Sequence, residues 1–443
     1  RGRPPVATGG VRQRQPHEGG TAPWTERGAL MTIESQPVDS CSNVFAAGLP
    51  TLAYEQSDDP AEVHRLIAAA RSQGPIAMGT HGPELLTYDL VRSVLRDPRF
   101  RVPQGMFLAS QGITSGPLWN RVATNLISLD GEEHHRLRRL IARAFTPRGT
   151  ARLRATVVDV MTELVDRHAS QGHCEVVADI ARKYPIPIIC ALLGTPSEDW
   201  ESFSTWTDDI FRVFSWDVAD QQERILTAWQ ELDDYVDAMV AERRHTLTDD
   251  LLSDLIRAED DGDRLSADEL RMLVAGLLMA GTDTTRNQLA ASVFAMCGHP
   301  DQWSLLGRRP ELAAAAAEEV FRHSPVAIGM LRTATEDVEL AGVTIPAGTL
   351  VVANLASANR DPEIFESPER LDITREGAPA MVTFGGGMHY CLGSHLARLE
   401  IAEGLAVMAQ RMPDIRLDGP APWKPPTALS GPVTLPIASE AAA

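Results

Sequence analysis

Cys391 stands in the run Phe384-Gly385-Gly386-Gly387-Met388-His389-Tyr390-Cys391-Leu392-Gly393, a glycine-walled turn that opens into a helix. Glycines 385 to 387 allow positive φ and close backbone approach, and Gly393 keeps the first helical turn thin. A flat, bulky group could therefore lie against the sulfur. A thiolate there gains from the helix N-terminus and from nearby backbone N–H groups. These residues describe an anionic, soft ligand with one open side. Glycine-rich turns also cradle phosphates, yet neither a Lys-Ser/Thr pair nor the acid of a dinucleotide site follows this one.

A second group of polar residues sits where polarity is expensive. From about 267 to 296 apolar residues fall nearly all round a helix, and Ser266 with Glu269 supplies a capping box at its start. Its middle reads Ala280-Gly281-Thr282-Asp283-Thr284-Thr285, where buried polar groups need partners. Either Thr284 bonds back to a carbonyl one turn earlier, with Asp283 paired elsewhere, or the pair does chemistry. Leu277, Ala280 and Gly281 share the face of Thr284.

A third group is Asp130-Gly131-Glu132-Glu133-His134-His135-Arg136-Leu137-Arg138-Arg139. At helical spacing His134 and Arg138 lie on one face, and Arg136, Arg139 and Arg143 on nearly the opposite one. The first face either holds an anion, for which guanidinium geometry is suited, or is simply solvated.

The elements that must position these groups are largely helical from about residue 60. Short strands are expected near 75–88, 337–355 and the C-terminus, and there is no internal repeat. Pro310 and Pro325 bracket a helix that carries Glu319 and Arg322 on one face. Such an i,i+3 pair is worth a few tenths of a kcal/mol on a surface and far more in a core.

The spacing Phe-x-x-Gly-x-x-x-Cys-x-Gly resembles the haem-binding loop of the cytochrome P-450 family. The resemblance extends over roughly residues 60–437, including Asp97-Pro98-Arg99-Phe100, Tyr184-Pro185-Ile186-Pro187 and residues 357–375. It implies a mainly α-helical prism with a small β-sheet region, and haem b between the long helix and the cysteine loop. Cys391 would be the axial iron ligand and Phe384 a packing residue beside the thiolate. His134, Arg138, Arg332 and His389 would contact haem propionates. Glu319 and Arg322, joined by Arg370, would form a buried ion-pair network behind the loop. Gly281 would leave room for O₂, Thr284 would supply a hydrogen bond and Asp283 a proton route. Leu277, Ala280, Val326, Gly329 and Met330 would line the substrate pocket. The family usually has prolines after the aspartate at 130; here Gly131 and Glu132 stand instead.

The function implied is a monooxygenase that uses O₂ and two externally supplied electrons to hydroxylate or epoxidise a bulky apolar molecule: a steroid, terpenoid, fatty acid or polyketide. Electrons would come from NAD(P)H through a ferredoxin reductase and a ferredoxin. Arg136, Arg139 and Arg143 form a positive patch able to steer that acidic carrier. Desaturation or oxidative coupling would use the same centre. A haem-thiolate sensor without turnover is the rival, and Asp283-Thr284 argues against it.

Composition agrees with this class. The 443 residues are 44% hydrophobic and carry a net charge of −19, which argues against nucleic-acid binding. Five cysteines without a C-x-x-C pair argue against a disulfide framework or zinc site. No apolar run is long enough to span a bilayer, so a soluble, cytoplasmic monomer is expected. Residues 1–30 are rich in Arg, Gly, Pro and Gln and read as a disordered extension, with Met31 a natural start and 31–443 a single domain. Met106, Phe107 and Leu108 are expected near the pocket, and the aromatics in a loop at about 186–225 (Trp200, Trp206, Phe211, Phe214, Trp216) either lid it or, as aromatics at helical spacing more often do, pack in the core.

Overall fold

Ser266 opens the longest helix, Ala267–Cys297, through the expected capping box with Glu269. Burial runs nearly all round it, because helices pack on it from several sides: Pro185–Leu193, Trp200–Ile210, Val218–His245 and Ser394–Arg411. The computed structural model describes residues 2, 41–105, 108–215, 217–260, 265–426 and 429–440. The expected extension, apart from Gly2, lies outside these residues, as do Met106, Phe107 and Trp216. From Cys41 onward the chain forms one compact unit. None of the described helices is long and apolar enough to cross a membrane, and all five cysteines are free.

The β structure is small, as expected. The strands Ile76–Gly79, Gly82–Leu85, Leu350–Asn354, Gly329–Ala334 and Phe100–Arg101 lie side by side in that order. One pair is parallel, with Glu84 opposite Val352; the others are antiparallel, and Arg332 faces Val351. This sheet has its own apolar cluster, including Ile76, Leu85, Val351 and Phe365. Two three-stranded sheets complete the set.

The segment expected as a loop over about 186–225 is mostly helix. Its aromatics pack edge to face between helices Trp200–Ile210 and Val218–His245, with Phe203 and Tyr235 centroids 5.0 Å apart. Trp206 donates to Glu231 at 2.7 Å. Interhelical packing, which sequence spacing does not show, occupies these rings. Gln111 stitches this region to the preceding loop, donating to the Ser215 carbonyl at 3.0 Å and accepting from the Val218 N–H at 3.2 Å.

Glu319 and Arg322 are 4% and 2% exposed on helix Ala313–His323 and pair through two contacts of 2.8 Å. The third member is Arg375, whose Nε lies 3.1 Å from Glu319 Oε2. Arg370, expected there, is exposed and pairs with Asp372 at 3.6 Å. Only its backbone takes part: its carbonyl accepts from Arg322 and Arg375. The Arg370 side chain lies in solvent.

Candidate active site

The cysteine loop takes the shape its glycines permit. Gly385 and Gly387 have φ of +75° and +66°. A Cβ on Gly387 would sit 2.5 Å from the Leu95 carbonyl oxygen, so this glycine lets the loop lie against backbone. At Gly393, by contrast, an added Cβ would meet no atom within 4 Å. The Cys391 N–H donates to the Phe384 carbonyl at 2.9 Å. Phe384 is buried, with the Arg398 guanidinium 4.3 Å above its ring centroid. Burial pushes the Cys391 thiol up, opposed by the Gly393 N–H and then by the charges of Arg138 and Arg398.

Around this loop stand four basic side chains. His134 is 1% exposed, its Nδ1 has no partner, and burial foremost holds it down at about 4. Its ring lies 4.4 Å from that of His389. Arg332 is 5% exposed and donates only to its own chain, to the Leu331 carbonyl at 2.8 Å. Among the described residues no carboxylate pairs with it, and burial pushes it down to about 10. The half-buried Arg138 donates to the Tyr390 carbonyl, directly before Cys391. His134 and His389 thus lie ring to ring, Arg138 reaches the loop at Tyr390, and Arg332 lies close enough for its charge to act on His389.

The single acid among them is Asp130, which sequence reasoning noted only as the start of the motif. It leads into helix Gly131–Ala142 without a side-chain capping bond, because its Oδ1 meets His389 Nε2 at 3.0 Å. An Asp at an N-cap position reads as a cap, so its partner was not legible. Arg136 is not part of a free patch: it pairs with Glu269 of the long helix. Arg139 and Arg143 are exposed.

On the long helix, Thr284 donates to the Ala280 carbonyl at 2.8 Å, the local bond anticipated as one alternative. Ala280 is exposed although most of the helix is buried, and Leu277 is 9% exposed on the same face. Gly281 does not open this face. A Cβ there would lie 2.9 Å from Ile189 Cδ1, so its missing side chain admits the neighbouring helix. Asp283 is 3% exposed and ion-pairs with Arg286, which also holds Asp208. Thr285 donates to the buried Glu400 at 3.3 Å, linking the long helix to the one that follows Cys391.

Two pocket expectations also change. The space beside Gly329 is filled by Val352 of the paired strand, and Met330 packs against Gly385 and the sheet's apolar cluster. Strand pairing, not a cavity, explains both. Val326 is 6% exposed and its N–H donates to Gln288 at 3.3 Å.

Residues 87–306 and 302–412 match the sequence profile described as Cytochrome P450. The chain belongs to the cytochrome P450 family. It is 39% identical over 356 residues to mycinamicin IV hydroxylase/epoxidase of Micromonospora griseorubida, covering 79% of this chain and 87% of that protein. It is 36% identical to vitamin D(3) 25-hydroxylase of Pseudonocardia autotrophica, covering 88% and 92%. Among solved structures, the crystal structure of CalO2 superposes with a TM-score of 0.80 at 31% identity, covering 86% of this chain and 98% of that one. This P450 is therefore an oxidoreductase, a monooxygenase whose cofactor is haem with a cysteine thiolate on iron. A sensor without turnover does not fit these relatives. The residues fit the group: a cysteine with an open side, a buried arginine without a carboxylate partner and a buried histidine with an orphaned nitrogen, both able to meet the two carboxylates haem carries.

Proposed function

We propose that Cys391 is the thiolate ligand of haem b and that His134, Arg138, Arg332 and His389 hold its propionates. The single observation that carries this is the convergence of basic side chains, among them the buried Arg332 without a carboxylate partner and the orphaned His134 Nδ1, beside the one cysteine in a glycine-walled loop. When bound, the haem supplies reductive activation of O₂. The overall reaction balances as substrate plus O₂, two electrons and two protons giving oxygenated substrate and water.

The chain's own part is to exclude water, position the substrate and bring the protons. Ala280 and Leu277 present a small apolar surface on the exposed face of the long helix, and Thr284 places a hydroxyl on it. Asp283 is the proton carrier, one residue from that hydroxyl. Electrons come from a ferredoxin, itself reduced by an NAD(P)H-dependent reductase. It docks at the exposed Arg139 and Arg143, which stand out on a chain of net charge −19. The protein works as a monomer in the cytoplasm.

The substrate is a bulky apolar molecule of polyketide or sterol-like type. Relatives named for oxidation of mycinamicin IV and of vitamin D(3) support this class. Optical titration of the ferric holoenzyme tests it: macrolactones or sterols should shift the iron from low to high spin. A Cys391→Ser variant should lose the red-shifted band that the reduced carbonyl complex shows under thiolate ligation. Retention of that band would remove Cys391 as the ligand.

A further inference from the structure

Beside the Asp283–Arg286 pair lies a cavity of about 120 Å³ lined by Arg182, Asp208, Arg286, Asn287 and Lys424, with the half-exposed Val433 at its rim. Arg286, 5% exposed, gives its Nη2 to both Asp208 and Asp283. Arg182 also holds Asp208 and reaches Ser204 at 2.9 Å. Lys424 Nζ donates to Asn287 Oδ1 at 2.9 Å.

The charges do not balance. Arg182, Arg286 and Lys424 set against Asp208 and Asp283 leave one positive charge; Arg182 and Asp208 are each about a third exposed, but Arg286 and Asp283 at its centre are buried, where an excess charge is costly. Arg286 Nη1 has no hydrogen-bond partner, and burial foremost holds the Lys424 ammonium below its ordinary range. Water could satisfy the N–H groups but not the charge. One monovalent anion satisfies both, and the cavity has room for a halide with one or two waters at about 30 Å³ each. A dianion would overshoot.

We propose that this cavity binds a small monovalent anion of chloride size between Arg286 Nη1 and Lys424 Nζ. The site is distinct from the residues proposed to hold the haem. Its occupancy is linked to Asp283 through the shared guanidinium.

Holoenzyme crystals grown without halide and soaked in bromide should show an anomalous peak in contact with Arg286 and Lys424. In solution, at constant ionic strength, chloride replacing gluconate should raise the melting temperature saturably, by about 3 °C at a hundredfold excess over Kd. Lys424→Met should abolish that rise. Ordered water alone in the cavity overturns the proposal, as does a chloride response that survives in Lys424→Met. A bromide peak without any thermal response means an adventitious ion only, and overturns it too. The wild-type diffraction result decides even where the variant fails to fold.

Discussion

The Thr284 hydroxyl donates its one proton to the Ala280 carbonyl oxygen, 2.8 Å away and one helical turn back. Its lone pairs are left for the open side, so the hydroxyl meets a ligand as an acceptor unless it releases Ala280. Removing it should uncouple electron use from product. In Thr284→Ala, reductant consumption is expected to continue while product per electron falls by at least about tenfold, with Thr284→Ser restoring most of it. Parallel assays of reductant, peroxide and product check this, and unchanged coupling in the alanine variant would remove Thr284 from the proton route.

Arg370 and Arg375 are separated by five residues and by very different energetics. Arg375 reaches the buried Glu319, whereas the Arg370 side chain lies in solvent. Arg375→Ala leaves Glu319 and Arg322 a poorer network, and Glu319→Gln leaves two arginines facing an amide. The second change should cost about 3–5 kcal/mol. Arg370→Ala should stay within about 0.5 kcal/mol. Denaturant unfolding of the three variants tests the order.

Glu84 is 2% exposed in the central sheet region, accepting from Asn354 Nδ2 at 2.8 Å and from the Tyr54 hydroxyl at 3.2 Å. Burial raises it from its ordinary 4.5 to about 7, with the nearby Glu55 adding to the rise and the two hydrogen bonds opposing it. The folded state therefore binds this proton more tightly than the unfolded chain. Its contribution to stability is full below about pH 4.5, declines as pH rises through about 7, and is flat above that. The swing is up to about 3 kcal/mol. Glu84→Gln should flatten this part of the profile and raise stability at pH 8. Unfolding free energies at pH 5, 6, 7 and 8 read it directly, and a variant less stable than wild type at pH 8 would count against this account.

Arg139 and Arg143 are exposed, while Arg136 is committed to Glu269. Charge reversal at Arg139 and Arg143 together should slow ferredoxin-driven reduction by about tenfold or more at low salt, with the difference shrinking as salt rises. Reduction by dithionite should not change. Stopped-flow reduction at two ionic strengths measures both.

Local chemistry made much of this P450 legible. Glycines 385 to 387 ahead of Cys391 are a contiguous motif whose conformation follows from missing side chains, and the loop has the expected positive φ at Gly385 and Gly387. The long helix and its Ser266/Glu269 cap are equally local: apolar periodicity and a reciprocal pair of hydrogen bonds decide them. The surface sign of the chain is a matter of counting.

What tertiary structure alone decided is which partner each side chain meets. The family resemblance put Gly281 and Gly329 beside a pocket, but Ile189 and Val352 come from other elements to fill those spaces. The resemblance put Arg370 in the ion-pair network, and the fold places the Arg375 side chain there instead. The Asp130 carboxylate is held by His389, 259 residues later. A periodic sequence specifies which face of an element is apolar, because that depends on neighbours three or four residues away. Which residue lies opposite depends on how whole elements pack, and close packing allows only one answer at each contact.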